Sequence, residues 1–288
     1  MISSSLIDML SCPDCYGSFS GQNSNLKCNK CDNNIPIIDG IPRFNKINMD
    51  RLIDYDVVKS VNPKNWTDWR KYNYEYFEKK LLNVNKSALI FDIGAGTQPF
   101  AELLGHFNTY TVDFNPYKGI DVVTDLNNPL PVRDSVVDIV VMSNLIEHIP
   151  EPLALLKESK RILKPGGTLI LTVPFLIKIH QEPYDFFRYT EFMLQRLFNH
   201  SGFQNIEITK IGNLLDIFPA LSNATWKLLH KTRNPDKYDL CNRGFNLALK
   251  VFKCIHLLIY GIMIKASGID KHHVDEAGYP WGYGCVAK

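Results

Sequence analysis

The sequence predicts an α/β fold: a doubly wound, mostly parallel sheet of seven strands, with a small cysteine-rich module before it and a helical insert before the last strand. Three observations predict this. From Ala88 onward, short apolar runs alternate with helical runs, the pattern of parallel strands joined by crossover helices. A glycine-bearing turn, Gly94-Ala-Gly96, joins the first of these strands to a helix, and such a turn lets a ligand approach the backbone closely. Four of the seven cysteines fall in the first 31 residues, as Cys12-Pro-Asp-Cys15 and Cys28-Asn-Lys-Cys31.

The cysteines set the first element. The 288 residues are 45% apolar and 22% charged, which fits a folded globular chain of one large domain or one domain plus a module. The start, MISSSLIDMLSCPDC, lacks a basic segment followed by an apolar run, so no secretory signal is expected, and no stretch of 18 residues is free of charge. A cytoplasmic location follows as an expectation, and there thiols stay reduced. Two C-x2-C pairs then read as four thiolates at tetrahedral zinc spacing. With all four positions filled by protein, the zinc is structural, and it supplies folding energy that so small a module lacks. Cys241, Cys254 and Cys285 show no ligand spacing and read as ordinary semi-buried thiols.

After the cysteines, NNIPIIDGIPRF (Asn33 to Phe44) predicts two short strands about a turn at Asp39-Gly40. This segment and the cysteines before it resemble the Trm112-like zinc ribbon that precedes some bacterial methyltransferases, which places a ribbon over residues 1–45. Its three basic residues (Lys27, Lys30, Arg43) stand against four acids (Asp8, Asp14, Asp32, Asp39). A phosphate-binding module is usually basic, so the ribbon reads as structural or docking, and nucleic acid is not its expected partner. Residues 46–86 form a linker ending in an aromatic helix. There Trp66, Trp69, Tyr72 or Asn73, and Tyr76 recur at helical spacing and predict a stripe packed on the next domain, one edge of which would also cover a ligand.

The domain over 87–288 opens with a strand at Ala88–Phe91 and Asp92-Ile-Gly94-Ala-Gly96. Pro99 stands where a dinucleotide fingerprint has Gly or Ala, which weakens a nicotinamide reading and suits the first turn of a helix. The second strand ends in Asp113, 19 residues after Gly94, where an acid can accept both ribose hydroxyls of an adenosine-type ligand. Asp125 follows a third strand, Asp138–Met142 is a fourth, and a Pro-Gly-Gly turn leads to a fifth at Thr168–Val173. FQNIEITKI and GYGCVAK read as the sixth and seventh strands, an antiparallel pair closing the sheet.

DIGAGT, VDFNP, TDLNNPLP, SNLIEHIP and RILKPGG, in this order, resemble the class I S-adenosylmethionine-dependent methyltransferases of the methyltransferase-11 type, with their Rossmann-like sheet. The resemblance covers about residues 87–211 and the last strand. It implies S-adenosylmethionine as cofactor. Asp92, Gly94 and Gly96 would surround its amino-acid part, Asp113 hold the ribose, Asp125 and Leu126 lie beside the adenine, and Ser143 and Asn144 line the cleft. Gln98 stands where many members have a third glycine.

The loop after the fifth strand, HQEPYDFFRYT (His180 to Thr190), combines a histidine, two carboxylates, an arginine and four rings. It leaves the sheet beside the cofactor, so it reads as a substrate pocket. His180 is the candidate base, since histidine titrates near working pH. Asp185 or Glu182 would orient it or bind the acceptor, and Arg188 would bind an anionic group. Tyr184, Phe186, Phe187 and Tyr189 would stack on a sugar or shield the cofactor's charge. The plainer alternative is that Asp185 and Arg188, three apart, only pair at a helix start capped by Thr190. His148 reads as a helix cap or packing residue. The pattern of this loop also resembles a branch of these enzymes linked to glycan and cell-surface biosynthesis.

Together these readings predict a methyltransferase acting on a small molecule or glycan, with an RNA base methyltransferase and a non-catalytic scaffold as alternatives. Between the last two strands, the 212–280 insert holds two apolar helical runs. Within the second, at 246–266, Lys250, Lys253 and Lys265 flank the run Cys254–Ile264, which is too short to span a bilayer. The insert reads as a subdomain over the cleft, a peripheral membrane contact, or a dimer interface.

Overall fold

The structure is a computed structural model, and it describes residues 2–21, 24–45, 66–212 and 279–288, with isolated helical positions between 216 and 266. The chain divides into two compact units, residues 1–209 with 282–288 and residues 210–281.

In the first unit, helix α1 (Ser4–Met9) is capped by the Ser3 hydroxyl, which accepts from the Leu6 N–H at 3.2 Å. Strands β1 (Phe19–Ser20), β2 (Asn25–Cys28), β3 (Asn34–Ile38) and β4 (Ile41–Pro42) follow as a four-stranded sheet in chain order. Asp39 and Gly40 turn β3 into β4 with φ of 54° and 80°. This ribbon is not a separate body. Leu6, Ile7, Leu10 and Leu26 share one core with Val122 of the large sheet and with Leu130 and Val132 of the connection from β7 to β8. Leu10 bridges Val132, and Arg43 bridges Val123. Asn45 donates to the Phe114 carbonyl at 3.0 Å.

The large sheet comprises β5 (Leu89–Ile93), β6 (Asn108–Asp113), β7 (Val122–Val123), β8 (Val137–Ser143), β9 (Leu163–Pro174), β10 (Glu207–Ile211) and β11 (Gly282–Ala287). Their order is β10-β11-β9-β8-β5-β6-β7. Pairs β8–β5, β5–β6, β6–β7 and β8–β9 are parallel, and β11 runs antiparallel to β9. β5 is buried at every position, as a parallel strand covered on both faces must be. The Pro-Gly-Gly segment is not the separate turn expected. It lies inside β9 as an irregularity, Val137 pairing with Leu163 and Ile139 with Thr168, and Gly166 takes a φ of 79°. Nor does Pro99 open a helix: α3 (Ala101–Leu104) begins two residues later and is one turn long.

The aromatic helix, α2 (Asp68–Leu81), is capped by Thr67 and packs on the sheet as expected. Its rings lie on the last strand: side chains at Gly282 and Gly284 would collide with Trp69 and Tyr76. Glycine at these two positions therefore lets the stripe seat directly on β11 backbone. Helices α4 (Pro152–Ile162) and α5 (Glu191–His200) complete the layers, α5 capped by Thr190, whose hydroxyl accepts from the Met193 N–H at 3.3 Å.

Of the other cysteines, Cys285 is fully buried on β11 and Cys254 is exposed, so neither is semi-buried; Cys241 lies outside the described residues. In the second unit, the two apolar runs also lie mostly outside them. The described positions Leu247, Val251, Ile255, Leu258, Ile259 and Ile262 are helical and exposed. No helix among the described residues is long and apolar enough to cross a membrane.

Candidate active site

The parallel strands deliver their carboxyl ends to one edge, and the candidate residues collect there. The chain leaves β5 through Gly94 and Gly96, with φ of 73° and 55°. The Gly94 and Ala95 N–H groups donate to the Val112 carbonyl at 2.8 and 3.2 Å. A side chain at Gly94 would run into Leu145, whereas one at Gly96 would meet nothing within 4 Å, so open space lies over Gly96. Gln98 takes a φ of 54°, so the chain keeps a glycine-like conformation without the third glycine. Its amide donates to the Lys118 carbonyl at 3.2 Å, a local bond that helps hold this costly geometry.

Asp92 and Asp113 are both buried. Asp113 accepts from the Gly96 and Asn115 N–H groups, each at 2.8 Å. Burial, and then the neighbouring Asp113, push the Asp92 carboxyl up to about 7. Burial raises Asp113 too, against its backbone hydrogen bonds. A buried acid without a cation, beside an open glycine cradle, suits a ligand that brings a positive amino-acid head and a ribose. Asp125 ties its own turn, accepting from the Asn127 N–H and from the amides of Asn127 and Asn128, while Leu126 is buried behind it. Ser143 ends β8. Asn144, at a φ of 50°, donates to the Ser143 hydroxyl and accepts from the Trp69 indole N–H at 3.0 Å. The aromatic helix thus reaches the cleft residues directly, a contact visible in the sequence only as helical spacing.

The loop after β9 is stitched to the loop after β8. Phe186 and Phe187 N–H groups donate to the Glu147 carbonyl, at 2.9 and 3.3 Å, and the Tyr189 hydroxyl donates to the Ile146 carbonyl at 2.9 Å. Tyr189 is therefore buried against Phe187 and does not present a face to a substrate. Arg188 clasps Asp185 at 2.6 and 2.8 Å and also donates to the Ile177, Lys178 and Phe187 carbonyls, so every guanidinium N–H has a protein acceptor. This clasp holds Asp185 well below the usual carboxylate range. The pair that the spacing suggested is formed, and it holds the loop.

The Asp185 carboxylate also accepts from the His180 backbone N–H at 2.8 Å and lies 3.3 Å from the His180 ring Nδ1. Nδ1 is in turn 3.2 Å from the Lys178 carbonyl, and Nε2 of this ring has no hydrogen bond among the described residues. Glu182 and Tyr184 are exposed. His148 ends the short 3-10 helix Ile146–His148 that follows β8, as a basic residue in its last turn. Its Nδ1 binds the Tyr184 carbonyl, and its ring meets the His180 ring edge-on at 4.8 Å. Beside it Glu147 is fully buried, and burial raises its carboxyl to about 8. Sequence reasoning missed Glu147, because one acid in an apolar stretch carries no signal of its burial.

In the ribbon, Cys12 and Cys31 sulfurs lie 3.7 Å apart and Cys15 and Cys28 sulfurs 3.4 Å, and all four sit within 4.8 Å of one another. Tetrahedral zinc with bonds of about 2.3 Å sets its sulfurs about 3.8 Å apart, so the four fit that ion. The Lys30 N–H and the Asn33 amide donate to the Cys28 and Cys12 sulfurs, as thiolate ligands require.

Residues 68–208 match the Methyltransf_23 family, a methyltransferase domain. A demethylmenaquinone methyltransferase of Bacillus pumilus is 27% identical over 171 residues, covering 51% of this chain and 71% of that protein. An uncharacterized methyltransferase of Mycobacterium leprae is 46% identical over 43 residues, 15% of this chain and 16% of that one. Among solved structures, a SAM-dependent methyltransferase from Archaeoglobus fulgidus superposes with a TM-score of 0.47 at 17% identity, covering 82% of this chain and 100% of that chain.

The Asp92 carboxyl, raised to about 7, makes a pH prediction. A folded-state pKa above the free value costs stability as pH climbs from about 4 through 7. Asp92→Asn removes that cost. Without ligand, the variant should melt several degrees above the wild type at pH 8, at ~2–4 °C per kcal/mol, and close to level with it at pH 4. Scanning calorimetry at both pH values checks this; a shift of equal size at both would contradict it.

Proposed function

We propose that this S-adenosylmethionine-dependent methyltransferase methylates a hydroxyl on a sugar or a lipid-linked glycan, with His180 as the base. The single observation that carries the reading is the held imidazole: His180 Nδ1 lies against the Lys178 carbonyl, the Asp185 carboxylate and the Arg188 guanidinium, and Nε2 would be the proton acceptor. When bound, S-adenosylmethionine supplies an electrophilic methyl group on a sulfonium. Asp92, Gly96 and Asp113 would hold it at the strand ends. Asp185 and Arg188 are positioning residues that keep His180 in place. Glu182, Tyr184 and Phe186, on the outer side of the loop, would meet the acceptor.

Cofactor and acceptor roles separate in titration and turnover. S-adenosylhomocysteine should bind the wild type with micromolar affinity and bind Asp113→Ala at least about tenfold more weakly, through loss of the ribose contact. His180→Ala should keep that affinity and lose about 10²–10⁴-fold in kcat on a glycan acceptor, the usual span for a general base. Failure of the well-folded wild type to bind S-adenosylhomocysteine would sink the enzyme assignment, and an unchanged kcat in His180→Ala would remove the base.

The ribbon would hold one structural zinc, in the manner of a Trm112-like domain. Its core is continuous with that of the sheet, so the ion supports the edge next to Asp113. Metal analysis should find at least one zinc per chain. Its removal by chelator should lower both the melting temperature and the S-adenosylhomocysteine affinity. Cofactor binding that is indifferent to chelation would show the ribbon to be independent of the site.

The lipid-linked form of the acceptor is supported by Leu247, Val251, Ile255, Leu258, Ile259 and Ile262, an exposed apolar helical stripe, with Lys265 exposed at its end. A stripe of this kind beside a cation suits the interface of an anionic bilayer. The protein should pellet with vesicles containing anionic lipid, and Ile255→Asp with Ile259→Asp should abolish that. Equal pelleting by the variant would discard the lipid contact.

A further inference from the structure

We propose that Glu147, His148 and His180 form a divalent metal site, with coordination positions left open for an oxygen of the acceptor. Only that last ligand rests on the proposed O-methylation; the ion itself stands on the geometry. One donor atom from each residue lies within 4.8 Å of the other two. The His148 Nε2 is 3.7 Å from the Glu147 Oε1. Donors around a first-row ion, at roughly 2.1 Å each, sit about 3–3.5 Å apart, so small side-chain rotations close the cluster.

The hydrogen bonding points the same way. His148 Nδ1 donates to the Tyr184 carbonyl, which puts the ring proton on Nδ1 and leaves the Nε2 lone pair facing the cluster. That Nε2 is buried and has no hydrogen-bond partner among the described residues. The same holds for both carboxylate oxygens of Glu147, a side chain with no exposed surface. Native structures rarely leave three such atoms on adjacent residues without something to bind them. His180 has its Nδ1 against the Lys178 carbonyl and the Asp185 carboxylate, the outer partners that orient a ligating imidazole. The surrounding loops are pinned by the Arg188 clasp and by the backbone bonds to Glu147, so the donors are held in place.

Two imidazoles and a carboxylate suit Mn²⁺, Fe²⁺, Co²⁺ or Zn²⁺, and three protein ligands leave positions open. An acceptor hydroxyl bound there would lose its proton to water more readily. The oxygen then forms the new C–O bond as the methyl–sulfur bond breaks, the electron pair passing to sulfur, with no change of oxidation state. In this arrangement His180 is a ligand, and coordination takes over the activation that the free imidazole would otherwise supply.

Mn²⁺ is the probe, because it competes poorly for the four ribbon thiolates. The full-length protein, brought to one zinc per chain so that only the ribbon thiolates are filled, is titrated with Mn²⁺ while the free-ion electron paramagnetic resonance signal is followed. One equivalent should disappear from the free pool, and the bound ion should show nitrogen modulation from imidazole, a signature that needs no variant. Glu147→Gln should weaken binding at least about tenfold while leaving S-adenosylhomocysteine affinity within a factor of about two. No uptake at millimolar Mn²⁺ by protein that binds S-adenosylhomocysteine, or uptake without nitrogen modulation, would overturn the metal site and leave the methyltransferase reading intact. Loss of S-adenosylhomocysteine binding with normal Mn²⁺ uptake would do the reverse.

Discussion

Three carboxyl groups are buried at one edge of the sheet, and the loops around them follow from that constraint. Asp92, Asp113 and Glu147 each keep less than a tenth of their surface in solvent. Burial raises all three, and Asp92 and Asp113 also repel each other. A fold that collects unneutralised acids costs itself stability unless a cation answers them. Asp113 has part of its charge met at home, by the Gly96 and Asn115 amides, and the Arg188 charge eases Glu147. The glycine turn, the strained Gln98 and the open space above Gly96 are what that edge needs to admit a positively charged ligand.

The aromatic, charged loop after β9 resolves on the same terms. Its charges and its rings have different duties. Asp185 and Arg188 close an internal clasp, and Phe187 and Tyr189 pack inward, with the Tyr189 hydroxyl on the preceding loop. What remains outward is Glu182, Tyr184 and Phe186, while His180 turns to His148 and Glu147. A segment with neither a helix nor a strand is thereby held as firmly as one, and its histidine is placed without the freedom that loops usually have.

The sheet was legible because β5, β6 and β8 are short apolar runs that carry the motif residues Asp92, Asp113 and Ser143 at or next to their carboxyl ends, and periodicity with turn chemistry suffices for such elements. The ribbon was legible because cysteine spacing is geometry written in sequence. What stayed hidden depends on tertiary contact. Glu147 reads as an ordinary acid until the loop after β9 covers it. Tyr189 reads as a stacking platform until its burial is known. The Pro-Gly-Gly segment reads as a turn because local propensity favours one, yet Leu163 and Thr168 on either side of it both pair with β8, so it lies within β9 as a bulge. Cys285 and Cys254 differ only in which face their elements turn inward, and neighbours decide that.

The ribbon's attachment has a consequence for how the chain is made. Arg43 meets Val123 and Leu10 meets Val132, partners that emerge from the ribosome about 80 and 120 residues later. At the pace of synthesis this is a wait of several seconds, against microseconds to milliseconds for local folding. The ribbon therefore spends that interval with Leu6, Leu10 and Leu26 lacking their final cover. Its four cysteines, all made before the large sheet, fit a zinc ion that would hold the ribbon's shape until β7 arrives. The order of the genetic message, with the cysteines first and the sheet after, suits a nascent chain that must be held together before it can be packed.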